Sequence, residues 1–143
     1  MREDRSGEAR VKPARPHHEV SGAKNRRFHT MGDGVREFNE FRSTMNERIL
    51  SQDNLVIKRF FNLDTNVYMD GALSGKVKDM LGLVASLVLR CDDCVRYHVQ
   101  SCKEKGVKRD EFFEIFGVAL VVGGSIVIPH LRRAVAFLDE LGG

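Results

Sequence analysis

One stretch of this 143-residue chain narrows its folding choices more than any other. It is Arg90-Cys91-Asp92-Asp93-Cys94-Val95-Arg96-Tyr97-His98, a Cys-x-x-Cys-x-x-x-His pattern. Read as helix, it places Cys91, Cys94 and His98 at i, i+3 and i+7, on one face. The Cα atoms of Cys91 and Cys94 then lie roughly 5–5.5 Å apart, inside the window a disulfide tolerates. Cys94 and His98, four residues apart, are the closest thiol–imidazole pair. A turn of helix thus holds a closable dithiol with a proton carrier one turn further on. Two other readings compete with redox chemistry: metal binding, and two buried cysteines beside a satisfied histidine.

The length suits one domain. Three cysteines and no apolar leader segment argue against a secreted disulfide framework. In such a chain a Cys-x-x-Cys is more often catalytic or metal-binding, and a cytoplasmic location is expected. The net charge of +3 is unevenly placed. Residues 1–30 carry eight Lys/Arg against four Asp/Glu, which leaves fifteen against sixteen for the rest. The body is therefore about neutral, and no nucleic-acid partner is expected for it. Residues 1–32 hold almost no apolar side chains, together with Pro13, Pro16 and Gly32. They cannot offset the entropy of ordering and read as a disordered basic tail, with a nucleic-acid-binding arm as the alternative.

Residues 33–143 read as a single compact all-α domain of about six helices. Phe38, Phe41, Met45 and Ile49 recur at helical spacing from Val35 to about Leu50, with Asp33 as the expected cap. Gln52-Asp53-Asn54 breaks that helix. A short second helix is predicted from Leu55 to about Asn62, then a loop from Leu63 to Leu73. Phe60, Phe61 and Tyr68 either line a pocket or pack in the core or a subunit contact. Ser74 caps a third helix that is apolar nearly all round after Asp79. Asp79, at the edge of that run, is expected to face water unless the next helix covers it.

Two acids follow Cys91, which suits the positive end of a helix dipole. A turn is therefore predicted near Arg90, and a fourth helix from about Cys91 to Lys105, ended by Gly106. If helices three and four pack antiparallel, Asp79 lies about 16 Å and His98 about 12 Å from the turn. A carboxylate, an imidazole and a thiol then converge; in one continuous helix Asp79 and His98 would be about 28 Å apart. Asp110 is the expected cap of a fifth helix, Phe112–Val122. Gly123-Gly124 loosens the chain before a sixth, Ser125 to about Leu141, with Pro129 in its first turn. The apolar run from Phe112 to Ile128 is too short and too interrupted for a membrane span. It reads as buried core or subunit interface.

Taken together, these residues resemble the alkyl hydroperoxidase D-like, carboxymuconolactone decarboxylase family. The resemblance covers about residues 35–141 and is strongest from Gly75 to His98. The family motif is an acid twelve residues before the first cysteine, followed by Cys-x-x-Cys-x-x-x-His. Asp79, Cys91, Cys94 and His98 occupy those positions, with Asp79 where the family usually has Glu. Leu81 to Cys91 looks like the helix before the motif, and Gly123-Gly124 like the family's glycine pair. The resemblance implies an all-α fold assembled as trimers or hexamers. Its redox members reduce peroxides or disulfides; its lactone decarboxylases generally lack the cysteine pair.

The expected activity is therefore that of a thiol-dependent peroxidase or disulfide oxidoreductase. Cys94 is the preferred nucleophile, His98 takes its proton, Asp79 orients or recharges His98, and Cys91 closes the disulfide. Cys91, at the helix start, is the alternative first nucleophile. A peroxide or disulfide substrate and an external dithiol or redox protein are the expected partners. No cofactor, metal or membrane is expected. Cys102, about 12 Å along the helix from Cys94, reads as a buried core thiol. His130 reads as structural, or as a residue entering a neighbouring subunit's site. A metal site would recruit Cys91, Cys94, His98 and Cys102 or His130. Carboxymuconolactone decarboxylation and a non-enzymatic helical assembly module are the remaining alternatives.

Overall fold

A computed structural model describes residues 33–142; the tail predicted for residues 1–32 lies outside the described residues. Six α-helices follow one another: α1 (Asp33–Leu50), α2 (Leu55–Val67), α3 (Gly75–Val88), α4 (Asp92–Glu104), α5 (Arg109–Gly123) and α6 (Ile128–Glu140). A 3₁₀ turn, Ser125–Val127, joins the last two. No strand occurs among the described residues. The all-α reading and the helix count hold.

The boundaries follow local chemistry. Asn54 opens α2 by accepting from the N–H groups of Val56 and Ile57, at 3.0 and 3.1 Å. Such a cap satisfies donors that the first turn would otherwise leave orphaned. The predicted end of α2 at Asn62 is corrected: the helix continues to Val67. Residues 62–67 contain neither Gly nor Pro, so nothing forces the break that their polar side chains suggest. Asp33 and Asp110 are not caps. Each lies in the first turn of its helix, where a carboxylate still suits the dipole. Ser74 caps α3 as expected, through the Val77 N–H. Gly106 closes α4 at φ +76, a left-handed position that glycine fills without strain.

The core forms where α3 packs against α4 and α5, and α6 packs against α4. Leu83 and Leu87 of α3, Val99 and Cys102 of α4, Phe112 of α5 and Leu138 of α6 are inaccessible to solvent. Burying each large apolar side chain contributes about 1.5–3 kcal/mol. Helix α1 joins through Phe38, whose ring meets Phe137 edge-on at 5.6 Å. Helix α2 buries none of its side chains. The consequence for the site is that α3 and α4, the best-packed antiparallel pair, form its rigid base.

Candidate active site

Three residues, Leu89, Arg90 and Cys91, separate α3 from α4. The Arg90 N–H donates to Leu87 O at 3.1 Å and the Cys91 N–H to Ser86 O at 3.0 Å. This double closure is a Schellman ending, with Arg90 in the left-handed position at φ +61. Cys91 is at the same time the N-cap of α4, its Sγ accepting from the Cys94 N–H at 3.4 Å. The two sulfurs are bonded to each other, with Cα atoms 5.3 Å apart. The spacing expected from a continuous helix is met, but its premise is corrected. Cys91 has extended backbone and stands just outside α4, because it must also finish α3. Cys94 is exposed and Cys91 half-buried.

One turn on, His98 is 6% exposed and Asp79, across the helix pair, is wholly buried. Their Nδ1 and Oδ1 atoms are 2.9 Å apart, so the antiparallel register does bring them level. Asp79 thus does not face water. Its second oxygen accepts from Ser101 Oγ at 2.7 Å and Lys105 Nζ at 2.5 Å. Burial alone would raise the Asp79 carboxyl. The hydrogen bonds from Lys105, Ser101 and His98 outweigh it and hold the group below the ordinary carboxylate range. Lys105 moves the other way, raised chiefly by its bond to Asp79.

Burial lowers the His98 pKa, although the bond to Asp79 and its charge pull upward. The imidazole is therefore neutral near pH 7. Asp79 has no proton to give, so Nδ1 carries the hydrogen and donates it. That leaves Nε2 as an acceptor, and Tyr68 Oη lies 3.4 Å from it. Burial, then the charges of Asp64 and Asp79, raise the Tyr68 pKa and keep the phenol protonated. Among the described residues both nitrogens of His98 are occupied, and neither is bonded to a cysteine sulfur. In this disulfide-bonded form the proton transfer expected between Cys94 and His98 therefore has no direct thiol–imidazole bond to follow.

A cavity of about 470 Å³ opens between α1 and α2, lined by Phe38, Phe41, Met45, Phe60 and Phe61 among others; of the motif, Asp93 and Tyr97 line it, and neither cysteine nor His98 does. Phe60 is exposed and Phe61 half-buried, so neither packs in the core. Arg42 caps Tyr97, its guanidinium carbon 4.0 Å from the ring centroid.

Cys102 is fully buried, and burial pushes its thiol up to about 12. It is a core thiol, as expected. His130 pairs with Asp92 rather than with a cysteine. Among the described residues no group of three or more His, Cys, Asp or Glu side chains is placed to hold a metal ion.

The carboxymuconolactone decarboxylase family model matches residues 55–137, from the start of α2 almost to the end of α6. This chain belongs to that family. Among carboxymuconolactone decarboxylase family proteins, one from Thermotoga maritima, with a suggested part in the antioxidative response, has been solved as crystal structures. It is 58% identical over 74% of this chain and 93% of its own, with a TM-score of 0.72. A Legionella pneumophila member of the family, 21% identical over 78% of this chain and 99% of its own, shares the fold with a TM-score of 0.71. An uncharacterized protein of the cox locus of Paracoccus denitrificans is 29% identical over 84 residues, which span 59% of this chain and 76% of that one. A Cupriavidus necator protein is 26% identical over 72 residues, 50% of this chain and 64% of its own.

Sequence reasoning misses two residues of this site, Ser101 and Lys105, and leaves the place of a third, Tyr68, open between pocket and core. Ser101 and Lys105 follow His98 at i+3 and i+7, the spacing that keeps them on its face, so a signal for them exists. Tyr68 arrives from a segment read as loop, with no spacing to place it.

Proposed function

We propose that the chain is a thiol-dependent peroxidase or disulfide oxidoreductase. The carrying observation is the Cys91–Cys94 pair at the head of α4, with its second sulfur exposed, one turn from the buried Asp79–His98 pair. The membership of a family whose Thermotoga maritima relative has a suggested antioxidative part supports the same reading.

In the reduced form Cys94, the accessible thiol, is deprotonated and attacks the distal oxygen of a hydroperoxide. The O–O bond breaks, the alcohol leaves with a proton, and Cys94 becomes a sulfenic acid. The Cys91 sulfur then attacks the Cys94 sulfur and releases water, so two thiols and one hydroperoxide give one disulfide, one alcohol and one water. An external dithiol returns the two electrons and two protons by exchange.

Asp79 anchors His98 in the tautomer that leaves Nε2 basic. His98 accepts the thiol proton, with Tyr68 Oη, 3.4 Å from its Nε2, as the exchanging group. His98 thus acts as a neutral base, and thiolate stabilisation falls to the positive end of α4, whose Cys94 N–H reaches the Cys91 sulfur. We further propose a homo-oligomer. Val118, Val121 and Val122 of α5 and Ile126 beside it are all more than half exposed, an apolar surface of the kind that marks contact sites.

Intact mass spectrometry of the reduced chain after one equivalent of peroxide tests the function. Loss of two mass units mapping to the Cys91–Cys94 peptide is expected, with Cys102 still alkylatable after unfolding. A stable sulfenic or sulfinic acid with no disulfide, or a bridge to Cys102, removes the mechanism. Lactone decarboxylation that survives Cys94→Ser unchanged would promote the alternative activity.

A further inference from the structure

Asp92 stands between the two cysteines, so its negative charge opposes any thiolate formed beside it. It is not left to do so. Its Oδ1 is 2.7 Å from His130 Nδ1 and its Oδ2 is 2.9 Å from Arg133 Nε, both on α6. Asp92 accepts only, so Nδ1 carries the proton. The approach of Arg133 Nη2 to that nitrogen, 2.9 Å, is then a contact and not a second bond. Burial would raise the Asp92 carboxyl, but the bonds and charges from His130 and Arg133 lower it instead.

The remaining charges near the dithiol are accounted for elsewhere. Asp93 lies 3.9 Å from Arg96 on its own helix. Asp79 is consumed by His98, Ser101 and Lys105. Arg90 is exposed in the turn before Cys91. Through the cluster on Asp92, α6 reaches into the motif with compensating charge.

We propose that His130 and Arg133 are positioning residues that hold the Asp92 carboxylate against α6 and compensate its charge, so that a thiolate forms in the Cys91–Cys94 pair beside it. The chemical use of that thiolate rests on the function proposed above; the electrostatic effect does not.

The test is the alkylation rate of the fully reduced chain by iodoacetamide near neutral pH, read by mass. The Cys102 thiol is buried and stays silent. Arg133→Ala is expected to slow alkylation about two- to fivefold, a modest effect because the cluster is partly solvated. Asp92→Asn alone is expected to speed it. In the Asp92→Asn background Arg133→Ala should have no further effect, and Arg133→Lys, which keeps the charge, should stay within about twofold of wild type. A slowing that persists in the Asp92→Asn background overturns the proposal, since Arg133 would then act without Asp92. So does Arg133→Lys behaving like Arg133→Ala, which would make the role one of packing. If the pattern holds while peroxide produces no disulfide, the proposed function fails and this inference stands.

Discussion

Gly82 and His98 meet backbone to ring: a Cβ built on Gly82 would stand 2.5 Å from His98 Cε1 and 2.7 Å from Nε2. The ring cannot retreat without breaking its bond to Asp79. In an open helix Ala is better than Gly by about 1 kcal/mol. Here overpacking should reverse the sign, and Gly82→Ala is expected to cost about 1–3 kcal/mol. Urea unfolding of the variant checks this. Equal or greater stability would show that His98 moves freely and is not held in one tautomer.

Lys105 touches a carboxylate that has no access to water. Lys105→Met leaves Asp79 buried without its cation. Breaking a buried pair costs about 3–5 kcal/mol, but the lysine side chain is 36% exposed and water can take its place. A loss of about 1–3 kcal/mol is expected, with greater acid sensitivity because Asp79 then protonates more readily. A variant as stable as wild type at pH 7 and pH 5 would mean that Ser101 and His98 suffice.

Stability should also carry a readable pH signature. His98 and Asp79 are both lowered from 6.5 and 3.8. Each folded group binds fewer protons than its unfolded counterpart as pH falls past the ordinary value. Their contributions are present above those values and are lost as pH drops through the folded ones, so stability should decline first below about pH 6.5. Cys102 runs the other way. Its thiol, raised from 9.0 to about 12, contributes fully below pH 9.0 and progressively less as pH rises toward 12. Denaturant midpoints across pH 4–11 should therefore fall at both ends. Cys102→Ala should flatten the alkaline side, and an unchanged alkaline slope would place its origin elsewhere.

Tyr68→Phe removes only the hydroxyl that faces His98 Nε2. Peroxide turnover is expected to fall about threefold or more, with the thermal midpoint little changed because the side chain is half-buried and the ring remains. Turnover equal to wild type would take Tyr68 out of the proton route.

Val121 is 88% exposed on α5. If that surface joins subunits, Val121→Asp buries an unpaired charge in the contact and should dissociate the assembly. Sedimentation velocity on wild type and variant distinguishes the cases. A monomeric wild type, or an oligomer unaffected by the substitution, sinks the interface reading.

Much of the fold and of the site is legible in the amino-acid sequence. Apolar periodicity and the Ser74 and Gly106 signals locate α3 and α4, and simple helix rise puts Asp79 level with His98. Such features are local, or follow from two straight rods joined by a short turn. What escapes is set by contacts between distant segments. The run Leu63–Val67 is polar enough for a loop, yet it continues α2 and so delivers Tyr68. The protonation of His98 depends on how deeply α3 covers it, which no spacing reveals. Asp92 reads as an ordinary first-turn acid, because His130 and Arg133 are thirty-eight and forty-one positions away along the chain.

The link between α3 and α4 behaves as a ruler. Cys91 ends one helix through its backbone and begins the next through its sulfur, leaving no slack residue in between. One inserted residue would turn α4 by about 100° and advance it by about 1.5 Å relative to α3, carrying His98, Ser101 and Lys105 off Asp79 together. The dithiol and the buried carboxylate site are thereby indexed to the same three-residue gauge, and neither can be re-spaced alone.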